Sequence, residues 1–282
     1  MDLPVEQAQP ASPVGLTTAI FCGPTSGPTA HLSLDLHGPD VCGDALELVT
    51  PARCEAALRL GRAELSIRID EEIPGYAEVS RFLATHQDVL RRRGRSTVWY
   101  LQQYLKLAYV WDKSSWVFIQ DGDTLFSPSL LGEMRLSPFL LTTREDITAY
   151  SATAASVGLP VYPRSFIANG GVFSPQVLRG LAPRAADWFI DVMQRAVLPA
   201  AGADFSEYQI MGALLARDLP IRPLRLFRRF DLLAGSGGGP STLERARRAL
   251  ARYDAVAFEA AHQSSVIKRL AGQLAYRVGY TW

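Results

Sequence analysis

Short apolar runs alternate along this chain with longer stretches whose apolar positions recur every three or four residues. That alternation predicts strands separated by helices. Residues 16–22, with Leu16, Ile20 and Phe21, are apolar and β-branched and read as a first strand. A second covers 45–49 and is ended by Thr50 and Pro51; a third covers 65–69, alternates apolar and polar, and runs into Asp70-Glu71-Glu72. Residues 116–120 form a fourth strand and 139–143 a fifth. Residues 53–62, 79–90 and 99–111 read as helices, the last with Tyr100, Tyr104, Leu107 and Val110 near helical spacing. Strands alternating with helices predict an α/β protein, a Rossmann-like and mostly parallel sheet with helices on both faces.

The second half continues this pattern without a clean linker. Residues 167–174 hold a turn at Asn169-Gly170-Gly171 between two apolar pieces, and Ser174 is placed to cap a helix opened by Pro175. Further helices are expected over 188–197, from Asp204 to about residue 217, and over 243–253, with a last strand at 255–258. A terminal amphipathic helix is expected over 264–276, and 235–239 is a flexible glycine-rich insertion. Residues 1–14 read as a disordered leader and 15–282 as one domain.

Composition narrows the classes. The chain has 282 residues, 48% hydrophobic and 20% charged, which is ordinary for a globular protein. A formal net charge of +1 gives no field that would recruit nucleic acid. The three cysteines (Cys22, Cys42, Cys54) lack metal spacing and read as free thiols in a reducing compartment. The first residues have neither a basic nor an apolar signal region, and no apolar stretch is long enough for a membrane span. The expectation is a soluble cytoplasmic protein.

The chemistry centres on Asp121-Gly122-Asp123, directly after the apolar run Trp116 to Gln120. Carboxylates at the carboxyl end of a buried parallel strand project into the crevice where open α/β sheets bind ligands. Two carboxylates this close repel unless a positive charge lies between them. A divalent cation carrying a diphosphate answers that need, because hard cations take oxygen ligands from protein and phosphate together. An Asp-Gly turn of no chemical consequence is the plainer reading of the same residues. Arg222, Arg225, Arg228 and Arg229 form a basic cluster, read either as a solvated loop or as a contact for an anionic acceptor or membrane surface.

Several segments together resemble a bacterial family of glycosyltransferases with the GT-A fold. Trp99-Tyr100-Leu101-Gln102-Gln103-Tyr104-Leu105-Lys106-Leu107 is similar to that family's helix before the acidic strand. The segment from Phe118 to Phe126 resembles the superfamily's Asp-x-Asp metal site, Asn169-Gly170-Gly171-Val172-Phe173 its Asn-Gly-Gly turn, and Phe205-Ser206-Glu207-Tyr208 its acidic helix start. The chain departs from the family between the first two strands, where a Gly/Pro-rich segment, 23–44, stands in place of the usual long helix.

The resemblance implies metal-dependent transfer from a nucleoside-diphosphate sugar, UDP-sugars favoured, to a saccharide or small natural-product acceptor. Residues 15–126 would bind the nucleotide and 127–282 build the acceptor pocket. Asp123 and the late His262 would hold Mn2+ or Mg2+, and Asp121 would meet either that metal or the donor's ribose. Pro24, Thr25, Thr50, Pro51 and Asp70 would meet the donor base, with Gln103, Lys106, Asn169, Gly170, Gly171, Gln263 and Ser264 also on the donor. Lys106 would reach the diphosphate, although a lysine on an amphipathic helix is more often simply solvated. Glu207 would act as general base on the acceptor side, a role that coexists with favouring its helix's first turn. Two rival classes share the fold logic. A nucleotidyltransferase would want a basic residue in its first glycine loop, and 23–28 has neither Lys nor Arg. A non-catalytic nucleotide-sugar binder would bind the donor without turning it over.

Overall fold

A computed structural model describes residues 15–23, 27–41, 46–59, 62, 64–228 and 240–258. Among them are strands β1 (Leu16–Phe21), β2 (Leu46–Thr50), β3 (Ile67–Ile69), β4 (Trp116–Asp121), β5 (Thr124–Phe126), β6 (Leu140–Thr142), β7 (Gly170–Phe173), β8 (Ile221–Pro223), β9 (Leu226–Arg228) and β10 (Ala255–Ala257). The central sheet has the order β3-β2-β1-β4-β7. Its first four strands run parallel, and β7 is antiparallel to β4. The fold is therefore mixed α/β with a mostly parallel central sheet, as the alternation of apolar patterns predicts.

The side chains of β1 alternate between two cores. Ala19 and Phe21 pack with the Thr97–Trp111 helix, where the Phe21 and Tyr109 rings meet edge to face at 5.8 Å. Ile20 and Cys22 pack on the other face with Ala30, Leu34 and Leu58. Helices therefore cover both faces, which is what an apolar parallel strand requires. Ser96 starts the Thr97–Trp111 helix, its hydroxyl accepting from the Trp99 N–H at 3.1 Å. Beyond its first turns the helix is enclosed, and every residue from Gln103 to Trp111 is buried.

Three local expectations need correction. The segment after β1 is not an open loop: residues Gly27–Val41 form a helix despite their glycines and prolines. Pro28 sits in its first turn, where proline costs no hydrogen bond. The fifth strand lies outside the central sheet; β6 pairs with β8 in a separate two-stranded sheet. Residues 79–90 are two helices, Tyr76–Thr85 and Gln87–Arg92, separated at His86. The flexible insertion, the terminal helix and the leader fall outside the described residues.

A third sheet joins β5 to β10 antiparallel and β10 to β9 parallel. Arg222 and Arg225 close on Asp254 beside it, Arg225 at 2.9 Å and Arg222 at 3.4 Å. Arg222 also pairs with Glu133 at 2.5 Å. These two members of the basic cluster are thus engaged within the protein.

Candidate active site

The chain crosses from β1 to β2 and β3 on one side, then returns to place β4 on the other. The gap between the carboxyl ends of β1 and β4 is thus a topological switch point, where such sheets open a ligand crevice. Phe21 of β1 is in register with Asp121 of β4, and the Gly122 N–H donates to the Phe21 carbonyl at 2.8 Å. The two aspartates leave the sheet at that crevice. On the other side of β4, the Asp121 N–H donates to the Asn169 carbonyl at 2.9 Å.

Asn169 is where the Asn-Gly-Gly turn occurs. It has φ +54°, a left-handed conformation that asparagine tolerates, and Gly170 and Gly171 already belong to β7. Gly170 is a glycine for packing reasons. A Cβ there would stand 2.5 Å from Cζ of Phe126, inside the buried Phe118–Phe126 pair. Gly170→Ala is therefore expected to destabilise the fold by about 1–3 kcal/mol through overpacking, read as a lower denaturant midpoint. An unchanged midpoint would contradict this packing account.

A cavity of about 480 Å³ opens beyond Asp121. Gln103, Lys106, Asp121, Asp123, Asn169 and Glu207 line it, with Arg95, Trp99, Glu145, Asp146, Tyr150 and Tyr208 around them. Lys106 stands at its base, 4% exposed, with its ammonium 2.5 Å from Asp121 Oδ1 and 2.6 Å from Glu207 Oε1. It lies over the Tyr208 ring at 4.5 Å, and the Tyr208 hydroxyl donates to Asp121 Oδ1 at 3.1 Å. The Gln103 amide, with its nitrogen turned to Glu207, donates to both oxygens of that carboxylate. Burial opposes the charge of Lys106, but Asp121 and Glu207 outweigh it and hold its pKa above that of an ordinary lysine. Burial raises the Glu207 pKa, with Lys106 pulling against it.

Ser206 caps the helix that Glu207 begins, its hydroxyl accepting from the Gln209 N–H at 3.3 Å. Glu207 is fully buried within the Lys106 and Gln103 contacts. The outer wall holds Arg95, whose guanidinium lies over Trp99 at 4.5 Å and donates to Asp204 at 3.4 Å and to the Tyr150 hydroxyl at 3.2 Å. Asp204 also accepts from the Tyr100 hydroxyl at 2.7 Å.

A second cavity, about 510 Å³, lies on the neighbouring face of the Thr97–Trp111 helix. Gly23, Pro51 and Asp70, at the carboxyl ends of β1, β2 and β3, bound one side of it; Leu101 and Leu105 bound the other. Thr50 is buried at the end of β2, its hydroxyl donating to the Cys22 carbonyl at 3.1 Å. Pro24, Thr25, His262, Gln263 and Ser264 lie outside the described residues. The chain does return to the acidic pair, because the Phe258 N–H donates to the Asp123 carbonyl at 2.7 Å.

Arg95, Glu145, Asp146 and Tyr150 had no signature in the sequence. Each comes from a loop or helix whose approach to β4 only the fold determines. The aromatic and charged character of Arg95 and Trp99 four residues apart, at the start of a helix, was the one local sign of a shared face.

Among the described residues no group of three or more His, Cys, Asp or Glu side chains converges as a complete metal site. Asp121 and Asp123 are partly exposed hard oxygen donors on one cavity, and the carboxylates lining that cavity outnumber Arg95 and Lys106. This donor set fits a divalent cation that takes other ligands from phosphate. Among the described residues no helix is long and apolar enough to cross a membrane.

No known protein-family profile matches the chain, and no curated protein matches its sequence. The solved structures similar to the chain include the following three. Mouse xyloside xylosyltransferase 1, apo form, has 9% identity and a TM-score of 0.45 over 87% of this chain and 98% of that one. Galactosyltransferase LgtC, in complex with donor and acceptor sugar analogs, has 12% identity and a TM-score of 0.49 over 93% and 95%. Glucosyl-3-phosphoglycerate synthase from Mycobacterium tuberculosis, in complex with Mn2+, UDP-glucose and phosphoglyceric acid, has 16% identity and a TM-score of 0.37 over 73% and 81%.

Proposed function

We propose that this chain is a glycosyltransferase that moves a sugar from a nucleoside-diphosphate sugar, UDP-sugars favoured, to a saccharide or small natural-product acceptor. The observation that carries the reading is the position of Asp121 and Asp123 at the β1/β4 switch point, on a polar cavity flanked by a second cavity at the ends of β1 to β3. The second cavity would take the nucleoside, with Pro51 and Asp70 at its edge. The polar cavity would take the sugar and the acceptor.

Asp121 and Asp123 would hold Mn2+ or Mg2+, and His262 is proposed as a further ligand. Phe258 is bonded beside Asp123 and His262 follows four positions later, within a span of at most about 14 Å. Such a cation stabilises, as a Lewis acid, the charge that gathers on a departing diphosphate. Lys106 keeps one oxygen of Asp121 fixed, and Asn169 fixes its backbone. Glu207 is the proposed base for the acceptor hydroxyl; burial raises its pKa and so makes it a better proton acceptor, and acting so requires release of one of its present contacts. The buried free thiols Cys22 and Cys54 are consistent with a cytoplasmic setting.

Calorimetry with UDP and with GDP, each in Mn2+ or in EDTA, tests this function. Binding is expected only with metal. Equal affinity in EDTA would remove the metal role, and absence of binding in every arm would remove the donor reading.

A further inference from the structure

The basic residues that the sequence marks at Arg222 and Arg225 are engaged inside the protein, by Asp254 and Glu133. A different basic face is turned to solvent. The helix Pro240–Leu250 buries Ala246, Ala249 and Leu250 in a satellite core with Leu32, Leu125 and Val256. Its other side carries Arg245, Arg247 and Arg248, and Arg252 follows in the next turn. Arg245 and Arg248 are three positions apart and Arg248 and Arg252 four, so they are neighbours on one face. Arg247, Arg248 and Arg252 are exposed. Glu244 is the helix's only acidic residue, and it meets Arg248 at 3.7 Å with side-chain exposures of 70% and 67%. A pair that open to water hardly offsets the arginines.

Four arginines less one glutamate leave a local charge of +3, in a chain whose total is +1. The charge is thus concentrated on this helix, and the rest of the chain is net acidic. These arginines line neither cavity. The outer side of a helix is convex and does not enclose a small anion, but it lies well against a broad anionic surface. Guanidinium groups pair with phosphate through parallel N–H bonds. The small overall charge gives no long-range field for nucleic acid. Ala246, Ala249 and Leu250 are already packed inward, so contact stays at the level of headgroups.

We propose that the arginine face of the Pro240–Leu250 helix docks the protein on a bilayer surface rich in anionic phospholipid. The helix leads directly into β10, which pairs with β5 just after Asp123. The corner of the fold that docks therefore also carries the crevice. The attachment is electrostatic, so salt reverses it. Arg91 and Arg92 are a second exposed arginine pair, on a short helix where Asp88 is exposed beside them. They provide a control for position, because they carry the same charge elsewhere on the surface.

Cosedimentation of the full chain with phosphatidylcholine vesicles, with and without phosphatidylglycerol, tests the proposal. Each net charge near such a surface contributes about fivefold, so the anionic vesicles are expected to bind roughly a hundredfold more tightly than the neutral ones at low salt. About 1 M salt is expected to release the protein, since the screening length falls to about 3 Å. Arg247→Gln with Arg248→Gln is expected to weaken binding roughly twentyfold, with an unchanged melting temperature because both side chains are exposed. Arg91→Gln with Arg92→Gln is expected to bind as the wild type. Equal binding to neutral and anionic vesicles, or none to either, overturns the proposal. So does an Arg247/Arg248 variant that binds no more weakly than the Arg91/Arg92 variant. Retention on heparin without binding to anionic vesicles overturns it in favour of a soluble polyanion.

Discussion

Asp123→Asn is expected to abolish most sugar transfer while leaving the fold in place. Asp123 is partly exposed beyond the end of β4, on the cavity and not in the packed core, and its Oδ1 accepts from the buried Thr124 hydroxyl at 3.2 Å, a bond that the amide oxygen of asparagine can keep. What the substitution removes is one hard oxygen donor of the proposed metal pair, and an amide is a much weaker ligand for such a cation. Nucleotide affinity in Mn2+ should fall toward the value in EDTA, and the melting temperature should stay near that of the wild type. His262→Ala is expected to weaken Mn2+ affinity more than nucleotide affinity measured in saturating metal. An Asp123→Asn protein with wild-type metal dependence would show that the aspartate pair only shapes a turn.

The buried charge cluster gives the second large effect, and two substitutions separate its roles. Glu207→Gln is expected to cut turnover by about 10²–10⁴-fold if Glu207 takes the acceptor's proton, because an amide does not accept it at neutral pH. Nucleotide affinity should change little. Near-normal turnover would end the base proposal and leave Glu207 as the counter-charge of Lys106. Lys106→Met acts first on stability. It leaves Asp121 and the fully buried Glu207 without the ammonium that bonds both, and breaking a buried pair this way costs roughly 3–5 kcal/mol. Burial and the Asp121 charge, both of which raise the folded pKa of Glu207, then act without the opposing ammonium. A carboxyl with a raised folded pKa loses stability as pH rises through that pKa, so the deficit of Lys106→Met should grow from acid toward neutral pH. The double variant Lys106→Met with Glu207→Gln should recover much of the loss, measured by urea unfolding. A Lys106→Met protein as stable as the wild type at neutral pH would mean that the cluster holds no charge.

Lys106 also shows where reading the chain alone stops. The sequence presents a lysine on a helix of mixed apolar and polar residues, and the general expectation is a solvated side chain or one that reaches for phosphate. The helix is instead enclosed from Gln103 to Trp111. Lysine is tolerated there because carboxylates from β4 and from a helix a hundred positions later meet it, Glu207 being 101 residues away. No periodicity within the helix encodes those partners. The Gly27–Val41 helix illustrates a different limit. Its glycines and prolines argue locally for a loop, yet Leu32 and Leu34 are buried against the sheet side of the fold, and tertiary burial overrides weak propensity.

The strands β1, β2 and β4, the Ser174 cap, and the emergence of Asp121 and Asp123 at a strand end were determined by the sequence itself. Each depends on local chemistry: an apolar run too continuous for anything but a buried strand, a hydroxyl one position before a helix, a charge at the boundary of a run. Tertiary structure alone decided that β1 and β4 are neighbours, which turns an acidic pair into the lip of a crevice, and that Arg95, Tyr150 and Glu207 face it. Such facts depend on strand order and on contacts between residues far apart in the chain, and their energy resides in desolvation and charge pairing across elements, where no short window of sequence carries both partners.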